Sequence, residues 1–253
     1  VGTEWRRVEA EFIPPGPIDG RRPGGMTLNF TGPGRIDIDN FRVHRADVDY
    51  LDFTPEEKDR LRASGMSALR THAFIKTGVI TYDLGQLLAP GGAISGVRSG
   101  NTLPQTLEAF RRLGTQPWLQ IEPHLSPEEW LGLLEYLAAP FDPVRDDAAA
   151  LPWAAQRVAQ GRAAPLTDAF DRILLEVGNE TWNSMFAPWT FPSMIDAATG
   201  ARYAPGAVYG LWTEHVLAIL RSSPHWRAAG LEDKLEVVLG GRRGAWDDGR
   251  AAA

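Results

Sequence analysis

The sequence predicts an α/β fold in which a mainly parallel sheet is built from strands that alternate with helices. Two helices carry complete start signals: "TPEEKDRLRASG" places Thr54, Pro55 and Glu57 in capping-box positions, and "SPEEWLGLLEYL" repeats the design from Ser126. Strands alternating with helices indicate parallel pairing with right-handed crossovers. The four predicted strands cover residues 67–74, 116–122, 172–180 and 234–241.

Two further helices are predicted from apolar periodicity. "TLPQTLEAFRRLG" runs from Thr102 to Gly114 and places its apolar side chains on one face, and "AVYGLWTEHVLAILRSS" does the same over residues 207–223. We expect Trp130, Trp212 and Trp226 to serve helix packing.

The first fifty residues differ from the rest of the chain in their sequence pattern. Three stretches, "TEWRRVEAEFIP", "GGMTLNFTG" and "GRIDIDNFRVHR", have apolar residues at strand spacing and are separated by Gly and Pro clusters. They predict three short antiparallel strands, which seldom form a stable domain alone, so an edge sheet packed on the larger domain is an equal alternative to a separate module. We therefore expect a β segment over residues 1–47, an α/β domain over 48–241 and an irregular tail over 242–253.

Polar or glycine residues end each of the four predicted parallel strands. In a β/α barrel the active site is built from the C-terminal ends of successive strands. A doubly wound sheet binds ligands at the same ends, but its Gly-rich turn opening a helix is absent from this sequence. We therefore expect a partial (β/α)8 TIM-type barrel preceded by a small antiparallel β segment, with the later half of the barrel missing. The strand-end residues are Arg70, His72, Glu122, His124, Asn179, Glu180, Gly240 and Gly241.

Composition excludes several functional classes. The chain has 253 residues, 43% of them apolar, and a net charge of −6 without a basic stripe, so we expect no nucleic-acid partner. No run of about 18 apolar residues could span a membrane, and "VGTEWRRVEAEF" does not read as a signal peptide. The absence of cysteine excludes disulfides and thiolate chemistry. The histidines lack metal-ligand spacing, so we expect no metal. No Gly-x-Ser-x-Gly elbow occurs, so Ser-His-Asp chemistry has no support. We expect no cofactor.

The stretch "ILLEVGNETWN" contains the main candidate for catalysis. Strand alternation places Glu176, Gly178 and Glu180 on one face, and Leu175 and Val177 on the other. Glu180 would then stand at the mouth of the barrel as a candidate catalytic carboxylate. The alternative is a structural carboxylate that forms an ion pair with Arg70 or another base.

These motifs resemble those of clan A glycoside hydrolases. "EVGNE" resembles the fourth-strand motif of that clan, in which Asn-Glu follows an apolar strand and the Glu is the general acid/base. "ALRTHAF" resembles the early strand that carries an Arg near the sugar site. "LGTQPWLQIEPHLSPEEWLGLLEYL" resembles the third strand and following helix of α-L-arabinofuranosidase-like members, and residues 34–43 resemble the last strands of a β-sandwich carbohydrate-binding module. The resemblance to the clan covers about residues 54–241.

The resemblance implies a retaining glycosidase acting on polysaccharide or oligosaccharide, located outside the cell or in the periplasm. Breaking an acetal requires a proton donor for the leaving oxygen and a second carboxylate for the developing positive charge. Glu180 would be the general acid/base, and Asn179 would contact the 2-hydroxyl of the sugar. No later strand ends in Glu, so the nucleophile is not found, and neither Glu122 nor Glu176 matches its position.

Several further residues are predicted to contact the substrate, each with a structural alternative. Arg70 could instead form a buried salt bridge, His72 could be a satisfied core histidine, and Asn179 could be a turn residue. Sugars stack on aromatic rings, but most of the nine tryptophans belong to cores. The predicted substrate-binding residues are Asn179, Arg70, His124, Trp182, Trp118, His72 and Glu122.

Two other classes of function stay open. A non-catalytic carbohydrate-binding protein would keep an aromatic pocket without a carboxyl pair at the right spacing. A doubly wound enzyme acting on a phosphate-containing ligand would need a phosphate loop, which the sequence does not show. The chain is predicted to hydrolyse almost nothing without the missing strands.

Overall fold

The structure of the protein, a computed structural model, forms two compact units, residues 1–50 and residues 51–253. It describes eight segments of the chain. These are residues 4–13, 28–38, 43–48, 52–73, 75, 82–89, 102–186 and 190–241.

The described residues of the first unit, 4–13, 28–38 and 43–48, contain no strand. Their apolar side chains are exposed, with Trp5 at 73% and Ile13 at 94%. A short strand needs a neighbouring strand and a buried face to be stable, and these residues have neither in the described segments. The predicted antiparallel strands are therefore not formed there, and the remainder of that prediction lies outside the described residues.

The second unit contains a four-stranded parallel sheet, which confirms the predicted pairing of the four strands. The order across the sheet follows the order along the chain, with each strand hydrogen-bonded to the next. All four strands are shorter than predicted. No strand in the described residues closes this sheet into a barrel, so the barrel stays a prediction. The strands are β1 (Ala68–Arg70), β2 (Gln116–Ile121), β3 (Ile173–Val177) and, after a separate β4 (Met194–Ile195) and β5 (Arg202–Tyr203) hairpin, β6 (Leu235–Val237).

The four predicted helices are confirmed, and the described residues contain four other α-helices. The capping boxes at Thr54 and Ser126 both form; the Glu57 N–H, for example, donates to Thr54 Oγ1 at 3.2 Å and the Thr54 N–H donates to Glu57 Oε2 at 2.8 Å. The predicted helices are α1 (Pro55–Ala63), α3 (Leu103–Leu113), α4 (Pro127–Ala138) and α6 (Pro205–Ser222), and the others are α2 (Leu84–Leu87), α5 (Pro152–Ala159), α7 (Pro224–Ala228) and α8 (Leu231–Lys234).

The sheet has one apolar and one polar face. Leu119, Ile121, Leu175 and Val177 belong to the hydrophobic core that the sheet shares with the helices. The register aligns Arg70 with Trp118 and Gln120 with Glu176, so these four side chains share the opposite face. The predicted alternation is therefore confirmed for Glu176 against Leu175 and Val177. Its predicted continuation to Gly178 and Glu180 is wrong, because β3 ends at Val177 and both of these residues have positive φ.

A buried arginine connects the helices α4 and α5. Arg157 is fully buried, and its guanidinium donates to the carbonyl oxygens of Tyr136 at 2.8 Å, Arg162 at 3.2 Å and Ala163 at 3.3 Å. Burial lowers the pKa of Arg157. Because the three acceptors are backbone carbonyls, this cation holds the C-terminal turn of α4 against the segment that follows α5.

Candidate active site

The chain makes a tight left-handed turn directly after β3. Gly178 has φ +80°, and a Cβ at this position would lie 2.5 Å from Thr181 Cγ2, so only glycine fits without a shift. Glu180 has φ +46° and is the one non-glycine residue with positive φ in the described part of the chain. This conformation costs a residue with a Cβ about 1–2 kcal/mol. The turn therefore places Glu180, a carboxylate residue with a strained backbone, at the C-terminal edge of the sheet.

The carboxylate of Glu180 is half-buried and is held by Asn183. The Asn183 side-chain amide donates to Glu180 Oε2 at 2.8 Å, and its backbone N–H donates to the Glu180 carbonyl oxygen at 2.7 Å. Arg70 pairs instead with Glu176. The alternative interpretation of Glu180 as the ion-pair partner of Arg70 is therefore wrong.

Four side chains form one hydrogen-bonded cluster on the polar face of the sheet, which we call the polar cluster: Arg70, Trp118, Glu176 and Asn179. Arg70 Nε and Nη2 donate to the two carboxylate oxygens of Glu176 at 2.7 and 2.8 Å. Trp118 Nε1 also donates to Glu176, at 2.9 Å, and the guanidinium carbon of Arg70 lies 5.7 Å from the centroid of the Trp118 ring. Arg70 thus has the structural salt bridge that was the alternative to a substrate contact.

Asn179 joins the polar cluster through its side-chain oxygen. Arg70 Nη2 donates to Asn179 Oδ1 at 3.0 Å, and the Asn179 side chain is 3% exposed. Because a guanidinium can only donate, this contact fixes which end of the amide faces Arg70. The amide nitrogen of Asn179 has no hydrogen-bond partner within the described residues, so its N–H groups are directed away from Arg70. Asn179 is therefore an oriented donor next to Glu180.

The predicted site residues at the ends of β1 and β2 make contacts within the protein. His72 Nδ1 lies 3.0 Å from Gln120 Oε1. His124 Nε2 lies 2.6 Å from the Tyr82 carbonyl oxygen, and the His124 and Tyr82 rings meet edge to face. The Glu122 N–H donates to Tyr82 Oη at 2.9 Å, and the Glu122 side chain is fully buried. Glu122 does not reach an open surface, and the predicted substrate contacts of His72 and His124 stay predictions.

Trp182 lines a small pocket beside the turn. Tyr209 is the buried aromatic wall of this pocket, and its Oη accepts a hydrogen bond from the Gly240 N–H at 3.2 Å. Burial raises the pKa of Tyr209, and the negative charge of Glu176 contributes to the same direction. The pocket is lined by Thr181, Trp182, Pro205, Gly206, Tyr209 and Gly240.

The three tryptophans that were assigned to helix packing divide between the core and the surface. Trp130 and Trp226 are buried, with exposed fractions of 1% and 5%, as expected for helix packing. Trp212 is 36% exposed; its Nε1 donates to the Pro123 carbonyl oxygen at 3.2 Å and its ring lies beside Phe191. The sequence predicts Trp212 as a helix-packing residue, but its partial exposure and its bond to Pro123 place it against the loop after β2 instead.

Two residues near the site were not singled out from the sequence. Asn183 bonds Glu180, and Tyr209 lines the pocket. The spacing of Tyr209 and Trp212 near the start of α6 could have predicted that aromatic side chains lie close to the site. In an α/β fold, the first turns of a helix that follows a parallel strand lie near the C-terminal end of that strand. Asn183 gave no signal, since its role depends on the turn geometry.

No group of three or more His, Cys, Asp or Glu side chains in the described segments is arranged to hold a metal ion. Among the same residues, no helix has the length and apolar character needed to cross a membrane.

Comparison with solved structures finds two arabinofuranosidases. A family 51 alpha-L-arabinofuranosidase from Bifidobacterium longum aligns with 79% of this chain and 35% of its own, at 18% identity and a TM-score of 0.49. A family 51 arabinofuranosidase from Xanthomonas axonopodis pv. citri aligns with 74% of this chain and 33% of its own, at 17% identity and a TM-score of 0.43. This chain thus spans about a third of the length of each. No family model and no curated protein matches the chain, and a likeness at this level does not establish its family.

Proposed function

We propose that the chain contributes the general acid/base residue of a glycoside hydrolase active site, and that this residue is Glu180, which protonates the leaving oxygen. The observation that carries the proposal is the backbone of Glu180, a left-handed non-glycine residue directly after a buried strand. Backbone strain of this kind concentrates at functional sites, where the surrounding structure imposes it. A carboxylate at a position where glycine would be less strained supports a chemical role.

Asn179 supports a sugar as the ligand. Its oriented amide nitrogen can donate to a hydroxyl oxygen beside the bond that is cleaved, while its oxygen is occupied by Arg70. Trp182 is a half-buried ring next to the same turn, and aromatic rings pack against the apolar C–H faces of sugars. The site is thus suited to an uncharged ligand rich in hydroxyl groups.

The nucleophile of a retaining mechanism is proposed to come from a residue other than Glu176 and Glu122. It must stand about 5 to 5.5 Å from the acid/base. Glu176 accepts three hydrogen bonds from Arg70 and Trp118, and Glu122 is fully buried. Neither carboxylate is placed to attack a sugar.

The test is hydrolysis of a panel of aryl glycosides, including an α-L-arabinofuranoside, by the full polypeptide that the reading frame encodes. We expect Glu180→Gln to slow substrates with poor leaving groups by roughly 10² to 10⁴, the range of general acid catalysis. Glu236→Gln is the matched control, because Glu236 is an exposed carboxylate of the same sheet that pairs with Arg172. Equal rates for the Glu180 and Glu236 variants would contradict the proposal.

A second candidate is a carbohydrate-binding protein without catalysis. It is favoured by one observation, that the carboxylate of Glu176 is bonded to Arg70 and that of Glu122 is buried. The panel distinguishes the two candidates: a parent protein that binds the sugar but releases no aryl alcohol would be the non-catalytic protein.

A further inference from the structure

Glu176 lies in the candidate active site, but the proposed mechanism gives it no role. It lies on β3, four residues before Glu180, and its side chain is 6% exposed. A carboxylate buried to this degree needs charge compensation and hydrogen bonds. Both come from the polar cluster, through Arg70 and Trp118.

Arg70 connects Glu176 to Asn179 through hydrogen bonds. Its Nη2 carries two N–H groups, and Nη2 lies 2.8 Å from Glu176 Oε1 and 3.0 Å from Asn179 Oδ1. One nitrogen therefore donates to both residues. The fork of contacts on Glu176 fixes the plane of the guanidinium, so the second N–H of Nη2 can point only where Asn179 accepts it.

We infer that Glu176 is a positioning residue, which holds the Arg70 guanidinium and through it orients the Asn179 amide beside Glu180. The Arg70 side chain is 30% exposed, so without Glu176 it can turn toward water or another carboxylate. Asn179 would then lose its only hydrogen bond among the described residues. The inference rests on the proposed function for its kinetic consequence but not for its structural one.

The structural test follows the side-chain amide signal of Asn179 by NMR in the full chain, assigned by its loss in Asn179→Asp. In Glu176→Gln an amide group replaces one acceptor of Arg70, and we expect the Asn179 signal to move toward the position and mobility of an unrestrained asparagine. Glu236→Gln removes the equivalent partner from the bidentate Arg172–Glu236 pair at 2.7 and 2.6 Å and should leave the Asn179 signal unchanged. An ordered, unshifted Asn179 in Glu176→Gln would overturn the inference.

A second variant covers the risk that Glu176→Gln does not fold, since removing one partner of a buried ion pair leaves an uncompensated charge. The double variant Arg70→Met with Glu176→Leu removes both charges and keeps apolar volume. Its Asn179 signal should be as mobile as that of a fully exposed asparagine. If the signal stays ordered there, Asn179 is held by something else and the inference is wrong.

The kinetic test separates positioning from a merely structural role. A hydroxyl contact that strengthens in the transition state acts on kcat rather than KM, so Glu176→Gln should lower kcat by roughly 10- to 100-fold with little change in KM. In an Asn179→Ala background the same change should cost almost nothing more, because Glu176 acts through Asn179. Fully additive effects would contradict the inference. A parent protein without turnover would refute the proposed function alone, and the NMR result would still decide the role of Glu176.

Discussion

At the scale of the residue, Gly178 determines whether the turn after β3 can form. Its φ of +80° and the 2.5 Å separation between Thr181 Cγ2 and the position that a Cβ would occupy are two separate constraints on the same residue. The first applies to any left-handed position, and the second applies only where a neighbour fills the space. They can be separated by comparing Gly178 with a glycine that has the first constraint alone.

Gly178→Ala should destabilise the protein by more than Gly114→Ala. Gly114 has φ +77° with nothing within 4 Å of a Cβ, so its substitution should cost only the left-handed strain of about 1–2 kcal/mol. Gly178→Ala should cost a further 1–3 kcal/mol or so for overpacking against Thr181. Denaturant unfolding of both variants measures the difference, and adding Thr181→Ser to Gly178→Ala should recover part of it. Equal costs at the two glycines would show that Thr181 does not restrict the turn.

From the sequence, the face of the strand on which a side chain lies could be predicted, but the ion-pair partner of Arg70 could not. Alternation along β3 correctly separated Glu176 from Leu175 and Val177, because side-chain direction in a strand follows from the backbone alone. The sequence did not show whether Arg70 would bond Glu176 or Glu180. That choice depends on the register between β1 and β3 across β2 and on the left-handed turn, which are properties of the assembled sheet.

At the scale of the element, α5 depends on side chains from elsewhere in the chain. Its first N–H groups, on Trp153 and Ala154, donate to the carboxylate of Glu135 on α4 at 2.8 and 3.0 Å. Local cap signals therefore do not predict this helix, since its cap lies 18 residues earlier in the sequence. In contrast, the boxes at Thr54 and Ser126 are contained in four consecutive residues, and those helices were predicted.

Arg157→Met should lower the free energy of unfolding by about 1–3 kcal/mol. The change leaves the buried carbonyl oxygen of Tyr136 without its donor, at a cost of about 1–3 kcal/mol, whereas the part-buried carbonyl oxygens of Arg162 and Ala163 can bond water instead. Arg145→Met is the control, because the Arg145 side chain is 85% exposed and its loss should stay within about 0.5 kcal/mol. Chemical denaturation of the two variants makes the comparison. Similar losses in both would mean that the carbonyl contacts of Arg157 contribute little.

At the scale of the whole molecule, the predicted four-strand parallel sheet is confirmed, and the predicted partial barrel stays a prediction. The parallel order follows from alternating strands and helices, as the capped helices and short apolar runs indicated. Closure into a barrel requires further strands, and the described residues supply four parallel ones. The apolar residues of the first unit also had strand spacing, yet their described segments form no strand, because spacing alone does not provide a pairing partner.

The stability of the whole molecule should fall at alkaline pH because of its buried tyrosines. Burial raises the pKa of Tyr82, Tyr136 and Tyr209 above the ordinary value of 10.0, since it disfavours the phenolate. The unfolded chain therefore releases these protons first as the pH rises. The free energy of unfolding should be unaffected by these groups below about pH 10 and should decrease above it. Urea unfolding across this range tests the sign, and Tyr209→Phe should make the decline shallower; a profile that rises above pH 10 would contradict it.

The most direct test of the central claim is rescue of Glu180→Ala by azide in the full polypeptide of the reading frame. If Glu180 is the acid/base of a retaining enzyme, its removal leaves a space beside the glycosyl intermediate that a small anion can occupy. We expect substrates with poor leaving groups to lose roughly 10²- to 10⁴-fold in rate, activated aryl glycosides to lose less at the first step, and azide to restore turnover of the activated ones with formation of a glycosyl azide. Glu180→Ala that hydrolyses every substrate as fast as the parent, with no effect of azide, would contradict the assignment of Glu180.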